Sequence, residues 1–262
     1  MKVVLLAGGL GTRISEESHL RPKPMIEIGG QPILWHIMKY YSNFGFNEFI
    51  ICCGYKSYVI KEYFSDYYLH RSDVTFDFSR NNNMVIHNNI AEPWIVTIID
   101  TGLRTPTGSR VKRIQPYVGE HRFLLTYGDG VSNIDLNALI AHHHASGKTV
   151  TLSAIQPAGR FGVLDIDERN SVKGFREKAR ENGAWINAGF MVMEPEVFGY
   201  LQPDGCVLER EPMEQLSING ELGVYKHTDF WQCMDTQRDK NELEKLWQTG
   251  NAPWKCWKNG EL

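Results

Sequence analysis

Short unbroken apolar runs punctuate the first half of the chain: Val3–Ala7, Phe49–Cys53, Ile95–Asp100 and Phe123–Tyr127. Runs of this length read as strands covered on both faces. Between them the apolar spacing changes to a helical period. After a turn at Gly29-Gly30 and Pro32, residues Ile33, Leu34, Ile37, Met38 and Tyr41 share one helix face. Val59, Ile60, Tyr63, Phe64 and Tyr67 make a second such face. Strand and helix in alternation predict right-handed βαβ units and a mostly parallel sheet.

Two stretches depart from that rhythm. Asp73 to Asn89 alternates Val74, Phe76 and Phe78, passes Asn81-Asn82-Asn83, and resumes with Met84 and Ile86. This predicts an inserted β-hairpin whose apolar face needs a partner, read here as another subunit. The second half is richer in strands: Val150–Ile155, Val163–Asp167, Val172–Phe175, Trp185–Met193, Leu222–Lys226 and Phe230–Met234. These suit a mixed sheet region. Thr236 and Asp239 match a capping box that opens a helix running to Trp247. The aromatic tail Pro253–Trp257 is expected to pack on the domain or on a neighbour. The predicted fold is α/β, a Rossmann-like mixed, mostly parallel sheet flanked by helices. A single domain spans 1–262, with halves at about 1–130 and 131–235 and a C-terminal helix and tail from about 236.

Composition narrows the class. The 262 residues are 42% hydrophobic and 23% charged, ordinary for a globular protein. The net charge of −3 advertises no nucleic-acid partner. No apolar run approaches a membrane span, and Met1-Lys2 enters a strand directly, so neither membrane nor signal peptide is expected. The five cysteines include no CxxC pair, and Cys52 and Cys53 sit inside an apolar run. A reducing, cytoplasmic location without disulfides follows.

The chemistry starts where the first strand ends. Val3–Ala7 leads into Gly8, Gly9 and Gly11, followed by Thr12 and Arg13. Glycines there permit positive φ and close approach to a ligand, and successive N–H groups form an anion nest. The Rossmann pattern fails because Ile14 stands where its third glycine belongs, and a Walker pattern ending at Gly147-Lys148-Thr149 fails at His142. A plain tight turn is the alternative. Arg21-Pro22-Lys23-Pro24-Met25 follows closely. Prolines on both sides of Lys23 stiffen the segment and favour extended backbone, holding a cation near the nest.

LAGGLGTR, this lysine segment, GDG at Gly128-Asp129-Gly130, FREK at Phe175–Lys178 and NAGF at Asn187–Phe190 together resemble the sugar-1-phosphate nucleotidyltransferases. The strings KPMIEIGGQPILWHIMKYY, FIICCGYKSYVIKEYF, LLTYGDG and FWQCMDT look like the branch that joins CTP to glucose 1-phosphate. That resemblance implies CDP-glucose and pyrophosphate as products, Mg²⁺ as cofactor, and a homo-oligomer, with a hexamer as the candidate size. It implies a role in dideoxyhexose supply for surface polysaccharide and a strand-rich sugar-binding region.

Such a reaction brings two anions together, so positioning and charge neutralisation carry it. Asp129 ends a buried strand between glycines and is a metal candidate; a D-G turn is the plainer reading. Asp235 precedes the last helix, where the helix dipole alone would favour an acid. The resemblance pairs it with Asp129 on one Mg²⁺. It gives Arg13 the β and γ phosphates and Lys23 the α-phosphate, the two catalytic cations. Leu6, Ala7, Gly8, Gly9, Leu10, Gly11 and Thr12 line the nucleotide. Thr105, Thr107, Gly108 and Arg110 occupy the place where relatives read the base; Arg110 either reaches the triphosphate or faces solvent. Lys178 would bind the sugar phosphate, and Glu177, Asn187, Gly189 and Gly162 the sugar, Gly162 being equally a turn residue. The proline that usually follows this lysine is replaced by Ala179. His142-His143-His144 points three ways on a helix and is not read as a metal site. Other bases or sugars and a non-catalytic nucleotide sensor remain the alternatives, the latter disfavoured by the full set of cations and acids.

Overall fold

A computed structural model describes residues 1–79, 83–156, 163–166, 172–176 and 184–257. Among these, seven strands form one sheet in the order Leu222–His227, Val150–Ile155, Ile186–Met193, Phe123–Tyr127, Val3–Ala7, Glu48–Cys53, Ile95–Asp100. Ile186–Met193 runs antiparallel to both neighbours and the other pairings are parallel. The sheet is therefore mixed and mostly parallel, as the alternating pattern predicts.

The first strand shows why an unbroken apolar run was needed. Val3, Leu5 and Ala7 enter one hydrophobic cluster with the helix Ile33–Asn43, while Val4 and Leu6 enter the other with Val111 and Phe198. Successive strand residues point to opposite faces, and both faces are covered. No described helix is long and apolar enough to cross a membrane.

Three of the six strands expected in the second half join this sheet. Val163–Ile166 and Val172–Arg176 instead pair only with each other in a separate two-stranded ribbon. Trp231–Cys233 pairs with Gly130–Ser132, a short arm off the carboxyl edge of the sheet. The hairpin is present, with Asp73–Asp77 against Asn83–His87, Val74 opposite Ile86 and Phe76 opposite Met84. Phe76 and Phe78 stack in parallel and are 54% and 79% exposed.

The capping box forms at Thr236 and Asp239, and the helix runs Gln237–Gln248. Beyond it, Trp254 is buried and closes an aromatic cage around His36 with Trp35, Trp247 and Trp257. The tail thus packs on its own domain. His36 Nε2 lies 2.7 Å from the Ile28 carbonyl, and its Nδ1 faces the indole N–H of Trp254 at 3.4 Å. These partners fit a neutral ring that donates through Nε2 and accepts through Nδ1.

Burial lowers the His36 pKa to about 4, and the hydrogen bond to Ile28 only partly offsets it. An unfolded histidine titrates near ~6.5, so between these values the unfolded chain binds the extra proton. Stability from this group is complete above the unfolded pKa and is lost as pH falls toward the folded one. The loss should reach about 3 kcal/mol for the folded pKa of about 4. Urea unfolding at pH 7 and pH 5 should read about 2 kcal/mol of it, the remainder appearing only below pH 5, and His36→Gln, neutral throughout, should flatten the difference.

Candidate active site

Val3–Ala7 lies between Phe123–Tyr127 and Glu48–Cys53, with Leu6 opposite Tyr127 and Ala7 opposite Cys53. The register brings Gly8, Gly54 and Gly128 out at the same carboxyl edge. From Val3–Ala7 the strand order runs both ways, the position where open α/β sheets form a ligand crevice. Gly11 has φ +67°, left-handed backbone that an L side chain rarely adopts, and Gly9 faces open space. Arg13 follows in the single 3₁₀ turn Thr12–Ile14.

Gly8 has a second reason to be glycine. A Cβ there would lie 2.1 Å from Arg110 Nη1, and one at Gly54 would lie 2.6 Å from the same atom. Arg110 sits in the helix Thr107–Arg113, is buried, and lies behind the loop, so the solvent-facing alternative is not what the structure shows. Its guanidinium donates to Thr101 Oγ1 at 2.6 Å and to the carbonyls of Cys53, Gly8 and Leu103 at 2.9, 3.0 and 3.3 Å. The cation thus ties together the ends of two adjacent strands.

In front of the loop, Lys23 Nζ lies 2.6 Å from Asp129 Oδ2 and 2.5 Å from Asp235 Oδ1. Lys23 begins the 3₁₀ turn Lys23–Met25, closed by Met25 N–H on the Pro22 carbonyl at 2.8 Å. The segment is therefore one tight turn, where extended backbone was expected. Pro24 fits because the start of a helical turn needs no N–H from it. The arm described above brings the two acids together: Cys233 pairs with Gly130, and Met234 N–H donates to the Asp129 carbonyl at 2.8 Å. Asp239, the capping acid, also accepts from Asp235 N–H at 3.0 Å. Burial works to lower the Lys23 pKa, but Asp129 and Asp235 outweigh it and raise the pKa above the usual lysine range.

Gly9, Leu10, Gly11, Thr12, Lys23, Asp129 and Asp235 together line a cleft of about 300 Å³. A larger cavity of about 510 Å³, edged by Tyr63, Tyr67 and Arg71, holds none of the loop residues, so volume does not mark the chemistry here. Two carboxylates converging on one ammonium suit a hard divalent ion, which takes oxygen ligands. The histidine run offers no such convergence: His143 meets Thr151 and Glu194, His144 meets Arg122, and His142 lies against Tyr225.

On the other flank, the Tyr127 ring fills the space a side chain at Gly189 would need, 2.5 Å from its Cβ position. Gly189 has φ +85° and donates its N–H to Asn187 Oδ1 at 2.8 Å. Tyr127 Oη donates to Glu209 Oε1 at 2.5 Å, and Thr107 Oγ1 donates to Glu209 Oε2 at 2.6 Å. Sequence reading gave no role to Tyr127, although it stands inside LLTYGDG, or to Glu209, which stands in no motif. Residues Thr107 to Arg110 form helix rather than a loop, started by Pro106. A side chain at Gly108 would meet Cys206 Sγ at 2.6 Å, and Thr105 Oγ1 accepts from Arg113 at 3.1 Å. Gly162, Glu177 and Lys178 lie outside the described residues.

Residues 2–236 match the family described as Nucleotidyl transferase. The chain is 55% identical over 258 residues to glucose-1-phosphate cytidylyltransferase from Salmonella typhi, covering 98% of this chain and 100% of that protein. Among solved structures it resembles HddC from Yersinia pseudotuberculosis with a TM-score of 0.67 and 23% identity, covering 94% of this chain and 99% of that one. It also resembles the inositol-1-phosphate CTP transferase from T. maritima with a TM-score of 0.65 and 14% identity, covering 98% of each. At these identities the structural likeness speaks for the fold.

Arg110→Met would remove the guanidinium's hydrogen bonds to the Cys53, Gly8 and Leu103 carbonyls and to Thr101, leaving the Gly8 carbonyl with only the long bond from Tyr55 N–H at 3.4 Å. A loss of roughly 2–4 kcal/mol is expected, since hydrogen bonds to a buried charge weigh more than neutral ones. Urea denaturation measures it, and an unchanged midpoint would show that the clamp is dispensable.

Proposed function

The chain belongs to the nucleotidyl transferase family, and from that premise we propose that it is an enzyme transferring a cytidylyl group from CTP to α-D-glucose 1-phosphate. The products are CDP-glucose and pyrophosphate. The observation that carries the chemistry is the meeting of Lys23, Asp129 and Asp235 in front of the glycine loop. The choice of CTP and glucose rests on the likeness to the Salmonella protein.

A sugar phosphate oxygen attacks the α-phosphorus while pyrophosphate leaves in line. The nucleophile is already an anion and needs no strong base. Positioning and charge stabilisation are left to the protein. The N–H groups of Gly8–Thr12 receive the triphosphate, with Leu6 and Ala7 behind them. Arg13 takes the β and γ phosphates, where a planar fork suits bidentate contact. Lys23 stabilises charge on the α-phosphate. Asp129 and Asp235 hold a divalent ion, Mg²⁺ in this proposal, which neutralises phosphate charge when bound. Thr105, Thr107, Gly108 and Arg110 shape the nucleotide side, Arg110 by supporting Gly8 from behind. Asn187 and Gly189 face the sugar, and Gly162, Glu177 and Lys178 complete that half.

The assembly in this proposal is a homo-oligomer, a hexamer as the candidate size, and the exposed hairpin is its contact. Phe76 and Phe78 stack on one another and stay more than half exposed among the described residues. Phe76→Ser combined with Phe78→Ser should elute as a smaller species in size-exclusion chromatography. Unchanged elution would remove the hairpin from the interface.

Pyrophosphate release from glucose 1-phosphate with CTP, UTP, dTTP and GTP tests the reaction. CTP should exceed the others at least about tenfold, a modest discrimination for one altered hydrogen-bonding edge. Asp129→Asn and Asp235→Asn should each lose about a hundredfold or more while retaining native circular dichroism. If CTP is no better than UTP or dTTP, the base assignment falls and the transfer chemistry stands.

A further inference from the structure

Glu209 is an exposed carboxylate whose two oxygens are each fixed by a hydroxyl, Oε1 by Tyr127 and Oε2 by Thr107. Thr107 Oγ1 is fixed in turn by the Leu208 N–H at 3.0 Å. A long exposed acid side chain ordinarily samples many rotamers, and ordering it costs entropy. Here that cost is met in the folded chain, before any ligand arrives. Such preorganisation is what a recognition group requires.

The position has a direction. Tyr127 ends the strand that leads into Asp129, two residues on. Its ring covers Gly189, whose N–H donates to the Asn187 side chain. On this flank the carboxylate is joined through Tyr127 to Gly189, a residue given above to the sugar, and through Thr107 to the helix given to the nucleotide side. A carboxylate accepts about four hydrogen bonds, and two are occupied here. The remaining lone pairs can take only donors, and the charge repels phosphate. A polyhydroxylated ring carrying its phosphate at one end fits this flank: its phosphate sits toward Lys23 and its hydroxyls toward Glu209.

We propose that Glu209 is a specificity-determining residue for the sugar, accepting hydrogen bonds from hydroxyls of the hexose 1-phosphate. This rests on the transfer reaction proposed above but not on the identity of the base. A site built to accept hydroxyls discriminates strongly against analogues lacking one, because its polar group is then left unmatched. To Glu209 itself the adjoining helix Thr107–Arg113 contributes the fixing hydroxyl of Thr107.

The test compares wild type with Glu209→Gln and Glu209→Asp, using glucose 1-phosphate and its monodeoxy analogues at saturating nucleotide. Gln preserves shape and removes the charge, while Asp preserves charge and withdraws it by one methylene. In both, KM for glucose 1-phosphate should rise about ten- to hundredfold, at least ten times more than any rise in KM for the nucleotide. At least one deoxy analogue that wild type rejects should lose its disadvantage in the variants. A rise confined to the nucleotide KM would overturn the proposal and make Glu209 a reader of the cytosine amine. Equal changes in both constants, or none, would make it a structural tie. The wild-type analogue series is informative even if one variant folds poorly, since a wild type indifferent to every deoxy analogue also overturns it. Turnover with a different nucleotide, with sugar discrimination intact, would remove the CTP assignment and leave this one standing.

Discussion

Lys23 joins three stretches of chain that are far apart in sequence. Its ammonium touches Asp129 at the end of a central strand and Asp235 at the start of the last helix. Asp129 directly precedes one strand of the small arm and Asp235 lies two residues past the other, so the ion triad and the arm support each other. Removing a charged group from water is costly, and here burial does pull the lysine toward neutrality. Two carboxylates within hydrogen-bond reach reverse that sign. The cleft is therefore a place where opposite charges are already concentrated and partly desolvated. Fixed charges in such a place act more strongly on a ligand than they would in open solvent.

Arg110 does for the rear of the site what Lys23 does for the front. Where adjacent strands end, the carbonyls of Gly8, Cys53 and Leu103 converge behind the glycine loop with acceptor capacity to spare. One guanidinium can satisfy several acceptors because its donors fan out in a plane. The space it needs is available because Gly8 and Gly54 lack side chains. The glycines of the loop thus divide their work. Gly8 admits a cation from behind, Gly11 turns the backbone, and Gly9 leaves the front open. Reading every glycine of the loop as a mark of close ligand approach misses this division.

What could be read in advance follows from range. Val3–Ala7, Phe123–Tyr127 and Val150–Ile155 match the expected bounds because a buried apolar run is a local signal, and Ile95–Asp100 matches too although it is a partly exposed edge strand. The capping box is equally local, four residues that bond one another. Arg110 resisted reading because it stands beside Lys112 and Arg113 and looks like part of a solvated basic face. Only the adjacency of two strands, invisible in the chain, buries it. Trp231–Cys233 reads as a strand, but its partner lies about a hundred residues earlier, and nothing in three residues names it. Glu209 has no periodic or motif context at all; its meaning comes from Tyr127 and Thr107, 82 and 102 residues away. Asp129 and Asp235 were legible as a pair through family likeness, whereas their shared hold on Lys23 was not.

That shared hold constrains the proposed reaction. Both carboxylates lie within 2.6 Å of one nitrogen, so their oxygens are at most about 5 Å apart. Two bare charges at that distance repel by roughly 3 kcal/mol at an effective dielectric of about 20. A cation between them is thus favoured at all times, and in this structure Lys23 supplies it. The same point cannot hold an ammonium and a divalent ion together, because each would repel the other while sharing the same two oxygens. For Asp129 and Asp235 to serve a metal, Lys23 must leave the pair, and a phosphate within its reach gives the ammonium a new anionic partner. The stiff turn between Pro22 and Pro24 keeps the backbone in place while the long side chain moves. On this reasoning the lysine's two positions are coupled to the state of the site. Between the acids it keeps the cleft from repelling itself, and on the phosphate it neutralises the charge that transfer develops.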